Sequence, residues 1–148
     1  MTQVKKRYSL GEEIFNSVSH GVGALLSVAG CVVLIVLCAV HKGAVEIVSA
    51  SVYGASLIIL YTMSTLYHAI TNEKAKRVFR ILDHDTIYLL IAGTYTPITL
   101  CILQGALGWV IFGIIWAAAI LGTVMSSVNL EKFRKISTLC YIAMGWGI

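Results

Sequence analysis

Residues 18–40 read VSHGVGALLSVAGCVVLIVLCAV and contain no Asp, Glu, Lys or Arg. An α-helix of about 20 such residues is long enough to cross the ~30 Å hydrocarbon layer of a lipid bilayer. The stretch therefore predicts a transmembrane helix. Because the stretch carries no charge over its whole length, we do not expect this chain to fold as a soluble domain around a single water-excluded core.

The rest of the chain repeats this pattern. Of its 148 residues, 58% are hydrophobic and only 12% are charged, which is not the balance of a soluble domain. Further apolar stretches cover residues 47–68, about 83–103 and 109–128, and a shorter one covers residues 136–148. We expect an all-α, polytopic transmembrane helix bundle, forming one integral membrane domain over residues 1–148. It has four full spans and part of a fifth, because the last stretch is too short to cross a bilayer.

The basic residues lie in three short clusters between the apolar stretches. The positive-inside rule places such clusters in the cytoplasm, so residues 1–17 are predicted to be an amphipathic cytoplasmic N-terminus. Only Lys42 then lies outside. The residues placed inside are Lys5, Lys6, Arg7, Lys74, Lys76, Arg77, Arg80, Lys132, Arg134 and Lys135. We expect a multi-pass protein of the inner (plasma) membrane, in contact with membrane lipids. The clusters lack interleaved aromatic residues, so nucleic acid is not an expected partner.

Small residues and one proline predict how the helices pack. Small residues four apart allow close helix contact, and they are Gly23, Ser27 and Cys31 in the first span and Ala118, Gly122 and Ser126 in the fourth. Pro97 predicts a kink in the third span, with Thr94 and Thr96 satisfying the freed carbonyl groups. The cysteines form no CxxC pair and are interpreted as small apolar residues; they are Cys31, Cys38, Cys101 and Cys140.

Polar and ionisable residues gather at the predicted inner ends of three spans. They are Glu13, Asn16 and His20 in the first, Ser64 and His68 in the second, and Asp83, His84 and Asp85 in the third. Such groups are costly in a membrane unless they face a cavity or a partner, so the cluster indicates a functional site. Imidazole and carboxylate groups are ordinary zinc ligands. His68 is the one convincing donor here, and His20 or Asp83 would have to complete the ligand set.

Each of these residues also has a structural interpretation. His68 could be an interfacial histidine that interacts with the C-terminus of its helix. Asp83 could cap the N-terminus of the third helix. Glu13, Asn16 and His20 could form a hydrogen-bonded packing network, and we favour a supporting role for them around the ligand.

Three motifs resemble the hemolysin III and PAQR (progestin and adipoQ receptor) family. Residues 12–20, EEIFNSVSH, look like its E-x-x-N-x-x-[ST]-H signature, and residues 64–68, STLYH, are similar to its S-x-x-x-H motif. Residues 82–97, LDHDTIYLLIAGTYTP, resemble its third-helix block, which begins with Leu-Asp. The motifs follow the family's order, and the bacterial hemolysin III branch is the nearest in pattern.

The resemblance implies a seven-helix membrane protein with a zinc site near the cytoplasmic leaflet. His68 would be a zinc ligand, with Ser64 beside it and Asp83 as the partner of the zinc-bound water. The family belongs to the CREST superfamily, which includes alkaline ceramidases, so hydrolysis of a lipid amide is the implied activity. Its two other zinc ligands come from an H-x-x-x-H motif on a seventh helix, which this sequence does not reach. We therefore expect zinc binding to be weak or absent in this chain alone.

Two other functions remain open. A channel or pore-forming cytolysin is suggested by the hemolysin name, although no predicted span carries a continuous polar stripe that could line a wide pore. A receptor or membrane-homeostasis protein without catalytic turnover is suggested by the eukaryotic relatives.

Overall fold

The computed structural model describes residues 8–146, except for the side chains of Glu131 and Arg134. All regular secondary structure in this part of the chain is helical, as predicted, and residues 1–7, including Lys5, Lys6 and Arg7, lie outside it. The α-helices are α1 (Leu10–His41), α2 (Ala44–Ala69), α3 (Glu73–Pro97), α4 (Gly105–Val128) and α5 (Leu130–Gly145). The first four, counting α3 with the π-helical segment that follows it, are long and apolar enough to cross a membrane.

Helix α1 begins well before the predicted span, at a capping box. The Ser9 hydroxyl accepts a hydrogen bond from the Glu12 amide, while the Glu12 carboxylate accepts one from the Ser9 amide. These two bonds satisfy amide groups that a helix start leaves without partners. With 32 residues, α1 is about 48 Å long and so exceeds the ~30 Å hydrocarbon layer. Its first turns can therefore lie outside the hydrocarbon layer, where they can contact the polar ends of other helices.

Helix α3 also begins earlier than predicted, at Glu73 and not near residue 83. The basic cluster between the second and third apolar stretches is helical, because its Lys, Arg, Glu and Ala residues favour helix and Asn72 caps it. The Asn72 side chain accepts hydrogen bonds from the Lys74 and Ala75 amides at 3.0 and 3.1 Å. Asp83 therefore lies inside the helix, and the interpretation of Asp83 as a helix cap is wrong.

Pro97 ends the α-helical part of α3 and is followed by a π-helix, Ile98–Leu103. The predicted distortion at Pro97 takes this form, since proline has no N–H to donate to the carbonyl group of Gly93. Thr94 and Thr96 donate to carbonyl groups four residues earlier, at 2.8 and 2.9 Å, and not to Gly93. The prediction that they satisfy the freed carbonyl is wrong, because each hydroxyl reaches back along its own turn.

The two remaining connections are shorter than predicted. Gln104 alone separates the π-helix from α4, and its φ of 51° reverses the chain direction. Asn129 alone separates α4 from α5 and accepts a hydrogen bond from the Lys132 amide at 3.0 Å. Residues 129–135, which lie between two predicted apolar stretches, are therefore mostly the first two turns of α5.

Consecutive helices pack against one another, and α5 also returns to α3. The predicted role of small residues is confirmed on both helices: a Cβ atom on Gly54 would overlap Cys31 of α1, and one on Gly122 would overlap the Tyr88 ring. Large apolar side chains point outward instead, and no residue of α1 is buried. Small residues at the helix contacts and large apolar residues on the outside are typical of a bundle whose outer surface contacts lipid.

Candidate functional site at one end of the bundle

Glu13 joins three helices at the end of the bundle where α1 begins, α2 ends and α3 begins. One of its carboxylate oxygens lies 2.7 Å from Nδ1 of His68, and the other lies 2.7 Å from Nζ of Lys76. The side chains of His68 and Glu13 are only 7% and 17% exposed, so their interaction is weakly screened by solvent. One carboxylate therefore ties the start of α1 to both of its neighbours.

A second contact lies one to two turns further along α1. Nδ1 of His20 is 2.5 Å from the Ser64 hydroxyl, which is buried. Ser64 and His68 are four residues apart in the last turns of α2 and so share one helix face. The ring centres of His20 and His68 are 6.1 Å apart. The helix register thus brings together two imidazoles, each held through Nδ1.

Aromatic rings surround the two imidazoles. Tyr8 and Tyr67 lie against His68, with ring centres 5.4 and 4.6 Å from it, and Tyr61 lies 5.8 Å from His20. Tyr67 is buried, and Lys76 lies 5.5 Å from the centre of its ring. These rings limit the access of water, which strengthens the polar contacts between them.

The other predicted site residues are less closely connected. Asp83 is partly buried, and its carboxylate lies 3.8 Å from Nδ1 of the adjacent His84. Within residues 8–146, no hydrogen bond or ion pair joins Asp83 to His68 or Ser64. Asn16 is half-buried on α1, and its main-chain oxygen accepts a hydrogen bond from Ser19. The structure therefore places Glu13 and His20 beside the residues of α2, and does not join Asp83 or Asn16 to them.

Lys76 is the site residue that the sequence did not reveal. In the sequence it belongs to a basic cluster, which predicts only the orientation of the chain. Its contact with Glu13 spans 63 positions in sequence and depends on α3 beginning at Glu73, which turns the expected loop into a helix. The only signal in the sequence was the Asn72 cap before a run of helix-forming residues.

The donor atoms allow His68 to take one metal-ligand position. In protein zinc sites, a ligating histidine usually holds a carboxylate with its other ring nitrogen, and Glu13 holds Nδ1 of His68 in this way, leaving Nε2 for a metal. Among the side chains that the structure describes, no group of three or more His, Cys, Asp and Glu residues is arranged to hold a metal ion. The described residues therefore fit one ligand of a zinc site and its supporting carboxylate.

Comparison with known sequences gives consistent matches over almost the whole chain. Residues 8–148 match the family described as "Haemolysin-III related". The chain is 48% identical over 146 residues to "Hemolysin-3" of Bacillus cereus, covering 99% of this chain and 64% of that protein. It is 43% identical over 139 residues to "Hemolysin-3 homolog" of Bacillus subtilis (strain 168), covering 94% of this chain and 65% of that protein.

A more distant match is the human "Monocyte to macrophage differentiation factor". It is 28% identical over 106 residues, covering 68% of this chain and 44% of that protein. The chain thus spans slightly less than two thirds of the length of the bacterial relatives. No solved structure matches it.

Proposed function

Because this chain belongs to the haemolysin-III-related family of multi-pass membrane proteins, we propose that the whole protein is a zinc-dependent membrane hydrolase that acts on a lipid amide. The observation that carries this proposal is the 2.7 Å contact between Glu13 and Nδ1 of His68. A carboxylate in this position orients the ring and makes its free nitrogen a better ligand. The remaining ligands are assigned to the part of the longer family proteins that this chain does not span.

Each residue of the site has a distinct task in this proposal. His68 supplies one imidazole ligand, and Glu13 holds its tautomer while Lys76 balances the carboxylate charge. Ser64 is held by His20 on the same face of α2 as His68, where its hydroxyl can orient the substrate. Asp83 serves as the general base that removes a proton from the attacking water. Zinc, when bound, would supply the Lewis acid that polarises the substrate carbonyl.

The proposal also includes an orientation in the membrane. The described basic side chains Lys74, Lys76 and Lys132 lie at the same end of the bundle as His68, and Lys42 follows the opposite end of α1. The positive-inside rule therefore favours a site that opens near the cytoplasmic leaflet of the inner (plasma) membrane. Membrane lipids would reach it laterally.

The test is zinc binding by the purified full-length protein, because metal content can be measured without knowing the substrate. We expect about one zinc per protein, and we expect His68→Ala to lose most of it. His41→Ala is the matched control, since His41 is exposed and its described hydrogen bond is to the carbonyl of Leu37 within its own helix. Unchanged zinc content in His68→Ala would disprove the ligand assignment.

The name of the Bacillus cereus relative makes membrane lysis the competing function. Dye release from liposomes distinguishes the two. If zinc-dependent hydrolysis is the function, the protein releases little dye at low protein-to-lipid ratios. Strong leakage that persists in His68→Ala would favour a pore that does not use the zinc site.

A further inference from the structure

A second buried polar site lies between α3 and α4, and it includes none of the residues to which the proposed hydrolase assigns a task. Asp85 is 7% exposed, and one of its carboxylate oxygens lies 2.6 Å from the Ser127 hydroxyl. Its other oxygen, Oδ1, is buried and makes no hydrogen bond to any residue in the described range. A buried carboxylate oxygen without a partner is strongly unfavourable, so something must compensate for it.

Ser126 presents a second unsatisfied atom at the same level of the bundle. Its side chain is fully buried, and its hydroxyl also has no partner within the described range. Gly122 packs against Tyr88. The two helices run in opposite directions, because Ser127 contacts Asp85 whereas Trp116 contacts Thr96. One turn after Gly122 is Ser126, and one turn before Tyr88 is Asp85, so the register places these two side chains in one layer. The contact between Ser127 and Asp85 confirms this register.

Among the described residues, the surroundings of Asp85 provide hydrogen-bonding groups but no cation paired with it. Asp83 and His84 precede Asp85 on α3, and Tyr141 of α5 lies close enough to Asp85, Asp83 and Tyr88 to interact with them electrostatically. The Tyr141 hydroxyl donates to the carbonyl oxygen of His84 at 3.0 Å. Within the part of the chain that the structure describes, no ion pair includes Asp85. Its negative charge is therefore not balanced by a protein group described here.

We propose that Asp85, Ser126 and Ser127 form a binding site for a sodium ion. Carboxylate and hydroxyl oxygens are the ligands that hard cations prefer, and a single carboxylate balances one positive charge. A proton on Asp85 would remove the charge and let the carboxyl group donate to the Ser126 hydroxyl, so it is the alternative that the measurements below distinguish. A water molecule would bond both atoms but leave the charge. A sodium ion balances the charge and also binds the oxygen atoms of both residues.

Thermal unfolding of the purified protein in detergent tests the proposal. The protein is equilibrated in N-methylglucamine chloride, and sodium or potassium chloride then replaces it at constant ionic strength. Because a ligand that binds only the folded state stabilises it, we expect sodium to raise the unfolding temperature by about 3–8 °C. Potassium should have a smaller effect. Binding of radioactive sodium should saturate at about one ion per chain.

Two variants and a matched control identify the site. Asp85→Asn preserves shape and removes the charge, so it should abolish sodium binding and the sodium-dependent shift. Ser126→Ala should weaken sodium binding about tenfold. If Asp85→Asn does not fold, the sodium affinity of Ser126→Ala tests the site instead. Ser49→Ala is the control, because Ser49 is an equally buried serine of α2 whose hydroxyl also lacks a described partner. It should respond to sodium like the unaltered protein.

The same measurements can overturn the proposal. Equal unfolding temperatures in all three salts would mean that no sodium ion binds and that a proton or water occupies the layer. A sodium response that survives in both Asp85→Asn and Ser126→Ala would place the ion elsewhere.

Discussion

Nδ1 of His68 lies 2.7 Å from a carboxylate oxygen of Glu13, although the two residues are 55 positions apart. The contact depends on α1 starting at Leu10, about two turns before its uninterrupted apolar stretch. A helix that began at residue 18 would leave Glu13 in an unstructured tail. The early start of α1 is therefore what gives the imidazole an ionised partner.

Glu13→Gln should weaken zinc binding by the full-length protein about 10–100-fold, because the substitution removes the charge that holds the His68 ring. The affinity is measured by competition with a coloured chelator. Glu73→Gln is the control, since Glu73 is an exposed acid in the first turn of α3. Equal affinities for both variants would show that Glu13 only packs against His68.

Ser64→Ala should free the His20 ring and destabilise the contact between α1 and α2. Side-chain hydrogen bonds between membrane helices contribute about 0.6 kcal/mol on average, so the expected loss of stability is about 0.5–1.5 kcal/mol. The decisive readout is the nitrogen chemical shift of His20 in NMR spectra, which should change with its partner. Ser51→Ala should leave that shift unchanged, because the hydrogen bond that Ser51 makes among the described residues is to Ile47 in its own helix.

Gly54→Val should separate α1 from α2, because a Cβ atom at this position overlaps Cys31. Overpacking of this kind costs about 1–3 kcal/mol, measured as a lower unfolding temperature in detergent. Adding Cys31→Gly should recover part of the loss, since it removes the overlapping side chain. Gly30→Val is the control, because a Cβ atom there meets nothing within 4 Å. Equal losses for the two valine variants would contradict the packing described here.

Single cysteines on either side of the bundle should report its orientation. In a background without native cysteines, Lys42→Cys should react with a membrane-impermeant maleimide on intact cells, because it lies on the predicted outer side. Lys74→Cys should react only after the cells are opened. Both lysines are exposed in the structure, so access to water is matched. The reverse labelling pattern would overturn the predicted orientation.

Much of the architecture follows directly from local sequence. Twenty-residue apolar stretches predict spans because a bilayer requires every backbone group to be bonded within the segment. The same logic placed Gly122 and Cys31 at helix contacts, since only small residues allow backbones to approach closely. It failed at the polar segments around residues 73–82 and 129–135. Their charge places these two segments outside the apolar stretches. The structure shows that helices α3 and α5 run through them, beginning at the caps Asn72 and Asn129.

A membrane helix bundle with polar residues at one end therefore follows from the amino-acid sequence, because hydrophobicity and charge act locally along the chain. Tertiary structure alone decided which polar residues meet. Glu13 reaches both His68 and Lys76, and Ser127 reaches Asp85 across the α3–α4 contact. These pairings depend on the register between helices, which is set by the packing of side chains such as Tyr88 and Gly122. No periodicity within one helix records that register.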